Sequence, residues 1–161
     1  MSFAPVYSSA SRALILGTWP SPKSREIGFY YGHPQNRFWP MLAALTGEPV
    51  PAREDTEAKK QIILRHGLAL WDTLESCTIT GASDASIRNP VPNDIAFLLA
   101  AAPIQAVFCN GATAYRLYTR YLEPVSGIPA QRLPSTSPAN AACRPEALRA
   151  VWGEALAPWL L

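Results

Sequence analysis

With 161 residues, 48% of them apolar, only 16% charged and a net charge of +2, the sequence reads as one globular domain over residues 1–161 and excludes a disordered polyelectrolyte. Its three cysteines, Cys77, Cys109 and Cys143, form no C-x-x-C pair and lie outside metal-ligand spacing from His33 and His66. That argues against a structural zinc or a four-cysteine iron–sulfur cluster, so no metal or organic cofactor is expected. Free thiols in a reducing cytosol, no signal-peptide pattern over Met1–Arg12 and no apolar run of about 18–20 residues make a cytoplasmic protein with no membrane contact the expectation.

In chain order, the apolar run Ala13–Leu16 reads as a first strand, followed by a long Gly-, Pro- and aromatic-rich loop from Gly17 to Asn36. The spacing of Phe38, Leu42 and Leu45 predicts a helix over Asn36–Thr46; Asp55–His66 predicts a second, acidic at its start and burying Ile62 and Ile63. Leu68–Trp71 is the next strand. Asn93–Ala101 opens on a capping residue and places Ile95, Leu98 and Leu99 at helical spacing; Ala106–Cys109 is a third strand. A helix over Ala112–Leu122 carries Tyr115, Tyr118 and Leu122, a less apolar strand covers Ile128–Leu133, and a Pro-initiated helix covers Pro145–Trp159. The sixteen prolines gather in the connections, such as Trp19–Pro22, Asn89–Pro92 and Leu133–Pro138.

Strands alternating with helices imply parallel pairing through right-handed crossovers. The expected fold is α/β, a three-layer α/β/α sandwich around a four-stranded parallel sheet. Ligands of open parallel sheets bind beyond the carboxyl ends of the strands. A site is therefore expected among Gly17–Asn36, the residues from Asp72 onward, Asn110–Gly111 and Pro134–Asn140. Phe38 and Trp39 read as core; Tyr30 and Tyr31, between Gly28 and Gly32, are candidates for a ligand surface, with closure of the core edge as the alternative.

His33-Pro34-Gln35-Asn36-Arg37-Phe38-Trp39 resembles a loop of the mismatch-specific uracil-DNA glycosylases. Gly17-Thr18-Trp19-Pro20-Ser21 lies where that superfamily carries its first motif, and Leu133-Pro134-Ser135-Thr136-Ser137-Pro138-Ala139 is similar to its second, the minor-groove loop. With Arg88–Asp94 and Phe108–Ala114, the ordered set across residues 13–143 resembles the hypoxanthine-DNA glycosylase branch. The resemblance implies a monomeric, monofunctional enzyme that flips a deaminated base out of double- or single-stranded DNA and hydrolyses its N-glycosidic bond. Hypoxanthine is the first candidate base. Uracil is the alternative, and a non-catalytic DNA-binding member is another, because Trp19 stands where most relatives place an Asp or Asn that manages the water.

By the same resemblance the catalytic role passes to Asn36, whose amide can hold water and face the charge developing on the sugar; an N-cap of the following helix is the alternative. Gly17, Thr18, Trp19 and Tyr31 fall to base binding, with Tyr31 as the stacking ring. Gly67–Asp72 is similar to the strand that ends in a base-reading residue. A carboxylate at Asp72 accepts the N1–H of hypoxanthine and disfavours the bare N1 of adenine, the alternative being a cap of the turn Asp72–Leu74. Ser21, His33, Arg37, Asn110, Ser135, Thr136 and Ser137 are expected at the DNA. Arg88, Arg132 and Arg144 stand near these loops as further phosphate partners. Ser137, Pro138 and Ala139 are small, so wedging of the duplex by this loop is expected to be weak.

Overall fold

The computed structural model describes residues 3–79 and 86–161. Strand β1 (Ala13–Gly17) leads through helices α1 (Pro22–Ile27), α2 (Phe38–Thr46) and α3 (Thr56–Arg65) to β2 (Leu68–Asp72). Two further strands, β3 (Leu74–Thr78) and β4 (Arg88–Pro92), precede helix α4 (Ile95–Ala101). Then come β5 (Ala106–Asn110), α5 (Ala112–Leu117), a π-helical turn over Tyr118–Leu122, α6 (Glu123–Ser126), β6 (Ala130–Leu133), α7 (Pro145–Leu156) and a final 3-10 turn over Ala157–Trp159.

The main sheet has the order β2-β1-β5-β6, all parallel, as the sequence pattern predicts. Its first two strands are buried along their whole length, which is why they read as unbroken apolar runs. Passing from β1 to β2 and from β5 to β6 takes the chain in opposite directions across the sheet. Right-handed crossovers then put α2 and α3 on one face and α5 and α6 on the other. The direction reverses between β1 and β5, so the ligand crevice of such a sheet falls there. Gly17 pairs with Asp72 in register, and Asn110 with Leu133, so the carboxyl ends of four strands meet at one rim.

Several expectations need correction. The supposed loop from Gly17 to Asn36 contains α1, capped by the Ser21 hydroxyl, which accepts the Ser24 N–H, and begun by Pro22. The proline-bearing Asn89–Pro92 connection is a strand: β4 pairs antiparallel with β3 in a separate two-stranded ribbon, where prolines are tolerated at an edge. The capping residue expected before Ile95 is Asp94, which accepts from the Phe97 N–H, while the Asn93 amide donates to the Asp72 carbonyl at 2.8 Å. The helix expected over Ala112–Leu122 changes to π geometry at Tyr118, whose buried hydroxyl bonds Ser126 and the Ile128 carbonyl. The last helix ends at Leu156, where Pro158 falls in the tighter turn.

Candidate active site

The carboxyl ends of β1, β2 and β5 form the floor of a cavity of about 340 Å³, within the roughly 300–1,000 Å³ usual for small-ligand sites. Gly17 is there because nothing larger fits: a Cβ at this position would stand 2.6 Å from Asp72 Oδ1 and 2.9 Å from the Tyr31 hydroxyl. Asp72 is only 4% exposed. Burial in this apolar setting pushes its carboxyl up to about 7, so near neutrality it exchanges between acid and carboxylate. It does not cap the turn after β2, since the Thr73 and Leu74 N–H groups donate to the Gly17 and Thr18 carbonyls.

Among the described residues, three buried side-chain polar atoms have no hydrogen-bond partner: Trp19 Nε1, the Tyr31 hydroxyl and Asp72 Oδ2. All three belong to residues that line this cavity. Native structures leave few such atoms unpaired, and each calls for an explanation, a ligand among them. The Tyr31 hydroxyl sits beside Asp72 and Asn110 without a bond of normal geometry to either. Burial, then the Asp72 charge, raises its pKa above the ordinary tyrosine range.

Tyr31 has φ of 54°, a left-handed conformation uncommon for a non-glycine residue. Bonds from three separate places hold that turn. Trp39 Nε1 donates to the Tyr30 carbonyl, the Gly32 N–H donates to the buried Ser24 hydroxyl, and Arg53 Nε donates to the Gly32 carbonyl. Lys59, itself buried, fixes the Arg53 carbonyl in turn. The Tyr31 ring stacks on Phe38 with centroids 4.2 Å apart and planes inclined 28°. Asn36 closes the same wall. Its amide oxygen accepts the Phe38 N–H at 2.9 Å in a turn just before α2, whose N-cap position is Arg37 rather than Asn36, and that oxygen retains a second lone pair.

The opposite wall is the loop after β6, and it is densely bonded. The Arg37 guanidinium donates to the carbonyls of Thr136, Ser135, Ser137, Asn140 and Cys143, and the Arg37 N–H adds another bond to Thr136. Asn110 at the end of β5 accepts the Thr136 N–H and donates to the Thr136 hydroxyl, both at 3.0 Å. The Ser135 and Ser137 hydroxyls accept the N–H groups of Ser137 and Ala139, which leaves their own protons available. Gly111, at φ of 98°, lets the loop approach: a Cβ there would lie 3.2 Å from Ser135 Cβ.

The uracil DNA glycosylase superfamily model matches residues 4–157 of the chain. The chain belongs to that superfamily. Its members are DNA N-glycosylases, hydrolases of N-glycosyl bonds. A hypoxanthine DNA glycosylase of Methanosarcina acetivorans is 30% identical over 139 residues, 86% of each chain. One of Methanosarcina barkeri is 31% identical over 110 residues, 68% of this chain and 69% of the relative. The solution NMR structure of a proposed uracil DNA glycosylase from Methanosarcina acetivorans superposes with a TM-score of 0.75 at 28% identity, covering 95% of this chain and 96% of that one.

Within this superfamily member, Gly17, Thr18, Trp19, Ser21, Tyr31, Asn36, Asp72, Asn110, Ser135, Thr136 and Ser137 all line the one cavity. His33 and Arg37 do not. His33 Nδ1 accepts the Gln35 N–H in the approach to α2. Arg37 is not free for a phosphate, because its guanidinium is enclosed by carbonyls; its part is to shape the loop. Thr136 is fully buried and bonded to Asn110, so neither side chain reaches outward to DNA. The Ser21 hydroxyl is occupied as a cap.

Tyr30, a candidate for a ligand surface in the sequence, does line the cavity, whereas sequence reasoning missed Phe3, Ser24, Arg25 and Ile79 on its wall. Tyr30 is core-like, its hydroxyl donating to the Ala4 carbonyl, and this bond together with Trp71 Nε1 on the Phe3 carbonyl brings Phe3 to the cavity. Only Ser24 carried a usable signal, the Ser-Pro-x-Ser pattern of a capped helix start. Among the described residues, no group of three or more His, Cys, Asp or Glu is placed to hold a metal ion, and no helix is long and apolar enough to cross a membrane.

Proposed function

We propose that this enzyme extrudes a deaminated base, hypoxanthine first, into the cavity and hydrolyses its bond to deoxyribose, leaving an abasic site. The observation that carries the reading is that the three residues with unpaired buried polar atoms, Trp19, Tyr31 and Asp72, all line one cavity whose wall also holds Asn36. Such a cavity suits a flat, polar-edged ring. The free face of Tyr31 is the stacking surface, worth about 1–3 kcal/mol per base. Ionised Asp72 accepts the ring N–H that deamination creates, at N1 of hypoxanthine where adenine has a bare nitrogen. An N–H donor opposite Asp72 favours the carboxylate, so binding lowers the pKa that burial raised. Guanine and thymine carry a comparable N–H, so their refusal rests on the cavity walls and on the strength of their pairs.

For the chemical step, the C1′–N9 bond breaks and its electron pair leaves with the purine. The oxygen of a water molecule bonds to C1′, and one water proton ends on the departing base. Asn36 serves by position: the second lone pair of its amide oxygen holds the water, and its dipole faces the positive sugar. The Ser135 and Ser137 hydroxyl protons suit phosphate oxygens beside the flipped nucleotide. The reading takes the chain as one monomeric, cytoplasmic domain working without a cofactor. Duplexes containing deoxyinosine or deoxyuridine in each pairing, treated with alkali after incubation, test it. Breaks at deoxyinosine that largely vanish with Asn36→Ala are expected; tight binding without any break would leave only a DNA-binding protein.

A further inference from the structure

A departing 6-oxopurine needs hydrogen-bond donors, and most polar groups around the cavity are already engaged. Asp72 is the acceptor. The Asn110 amide bonds Thr136 through its oxygen and one N–H, and the Asn36 oxygen accepts from Phe38. That leaves the Asn36 NH2 and the Arg25 guanidinium as further donors on the cavity wall, both on more mobile side chains than an indole. The Tyr31 hydroxyl is a rotor beside a carboxylate and can turn to it. The Trp19 indole N–H has a single fixed direction and no acceptor among the described residues. Above the indole lies the Arg25 guanidinium, 4.7 Å from the ring centroid. A cation on an indole face draws electron density from the ring and makes its N–H a stronger donor.

We propose that Trp19 Nε1–H donates to the exocyclic oxygen O6 of the extruded purine and stabilises it as a leaving group. The inference rests on the glycosylase reading above. As the C1′–N9 electron pair moves into the purine, negative charge spreads to O6, and a bond to O6 strengthens on the way to the transition state. That is the differential stabilisation that accelerates a reaction. The indole keeps its hydrogen throughout; the proton that neutralises the base comes from the attacking water. The same donor sharpens selection. Adenine offers an amino group to Trp19 N–H and a bare N1 to Asp72, so it is mismatched at both positions once Asp72 is ionised. Trp19 thus acts on the base rather than on the water.

The test compares single-turnover excision of deoxyinosine with that of 6-thiodeoxyinosine, which keeps N1–H but presents a weakly accepting sulfur. Trp19→Phe is expected to slow the oxygen substrate by roughly 10- to 100-fold and the sulfur substrate far less, while Trp19→His, which returns a ring N–H, recovers part of the loss. Intrinsic reactivity differences cancel when the oxygen-to-sulfur rate ratios of native protein and variant are compared. Equal ratios would overturn the proposal and leave the glycosylase reading intact; a native protein that excises neither substrate would overturn both. A measurement on the native chain guards against a variant that fails to fold. Of its five tryptophans, one indole proton should move downfield in a ¹⁵N-edited spectrum when free hypoxanthine is added. A spectrum in which no indole proton moves while hypoxanthine binds would overturn the proposal.

Discussion

The two walls of the cavity are built on opposite principles. In the loop after β6, one arginine satisfies five carbonyls and one asparagine grips both ends of Thr136, so its polar backbone is heavily paired. Around Trp19, Tyr31 and Asp72, buried polar atoms are left without partners. Unsatisfied groups cost about 1–3 kcal/mol each in a folded chain. The paired wall fixes where the cavity is; on the proposed reading, the unpaired one determines what it accepts. Residues of the first kind should govern stability when changed, and residues of the second kind should govern rate and selectivity.

Asn36 straddles the division and gives the largest expected effect. Asn36→Ala should lower single-turnover excision by roughly 10²–10³-fold while costing only about 1 kcal/mol of stability through the lost bond to the Phe38 N–H. Asn36→Ser, which keeps an oxygen to accept the Phe38 N–H, should return the stability in a denaturant titration but not the rate. Arg37→Met tests the paired wall. It strips the carbonyls of their charged donor and should cost about 2–3 kcal/mol of stability, with faster amide exchange through Pro134–Cys143. Its effect on excision should appear in substrate affinity more than in the chemical step.

Asp72 tests the unpaired wall through pH. Its folded pKa of about 7 lies above that of the unfolded chain, so the folded protein holds a proton that the unfolded one gives up. Stability contributed by this group is therefore present at low pH and falls as pH rises from the ordinary carboxylate range through about 7. Asp72→Asn should abolish that slope and melt on the order of 5 °C higher than native protein at pH 8, with little difference near pH 4. Discrimination against adenine by the native enzyme should narrow below neutrality, because a protonated Asp72 can donate to the bare N1. The smallest effect belongs to Ser137→Ala, a half-buried hydroxyl whose loss should change stability by no more than about 0.5 kcal/mol. It should weaken DNA binding modestly at low salt, as read by a titration.

The main sheet was legible because buried parallel strands show as uninterrupted apolar runs between helical patterns, as Leu14–Leu16 and Leu68–Leu70 do. The β3–β4 ribbon was not, because Pro90 and Pro92 read as loop residues and only pairing at an exposed edge makes them strand. Eleven of the thirteen residues singled out for the site converge on the cavity, chiefly because their motifs follow strand ends. The exceptions share one physical cause. Arg37 and His33 carry functional-looking side chains, but a charge or ring nitrogen near unpaired backbone groups is drawn to them first. No sequence spacing reveals that Arg53, in the connection between α2 and α3, supports the Tyr31 turn from 21 positions away.

The backbone of Tyr31 carries a consequence for anyone wishing to make the enzyme hardier. A left-handed φ of 54° suits glycine far better than tyrosine, so Tyr31→Gly would relax the chain locally while removing the ring that faces the cavity. The same change gives up the stack on Phe38 and leaves a void, so relief of the main chain is offset by lost packing. Thermal improvement is better sought on the far side of the sheet, away from a residue whose main-chain strain and ring packing are set against each other.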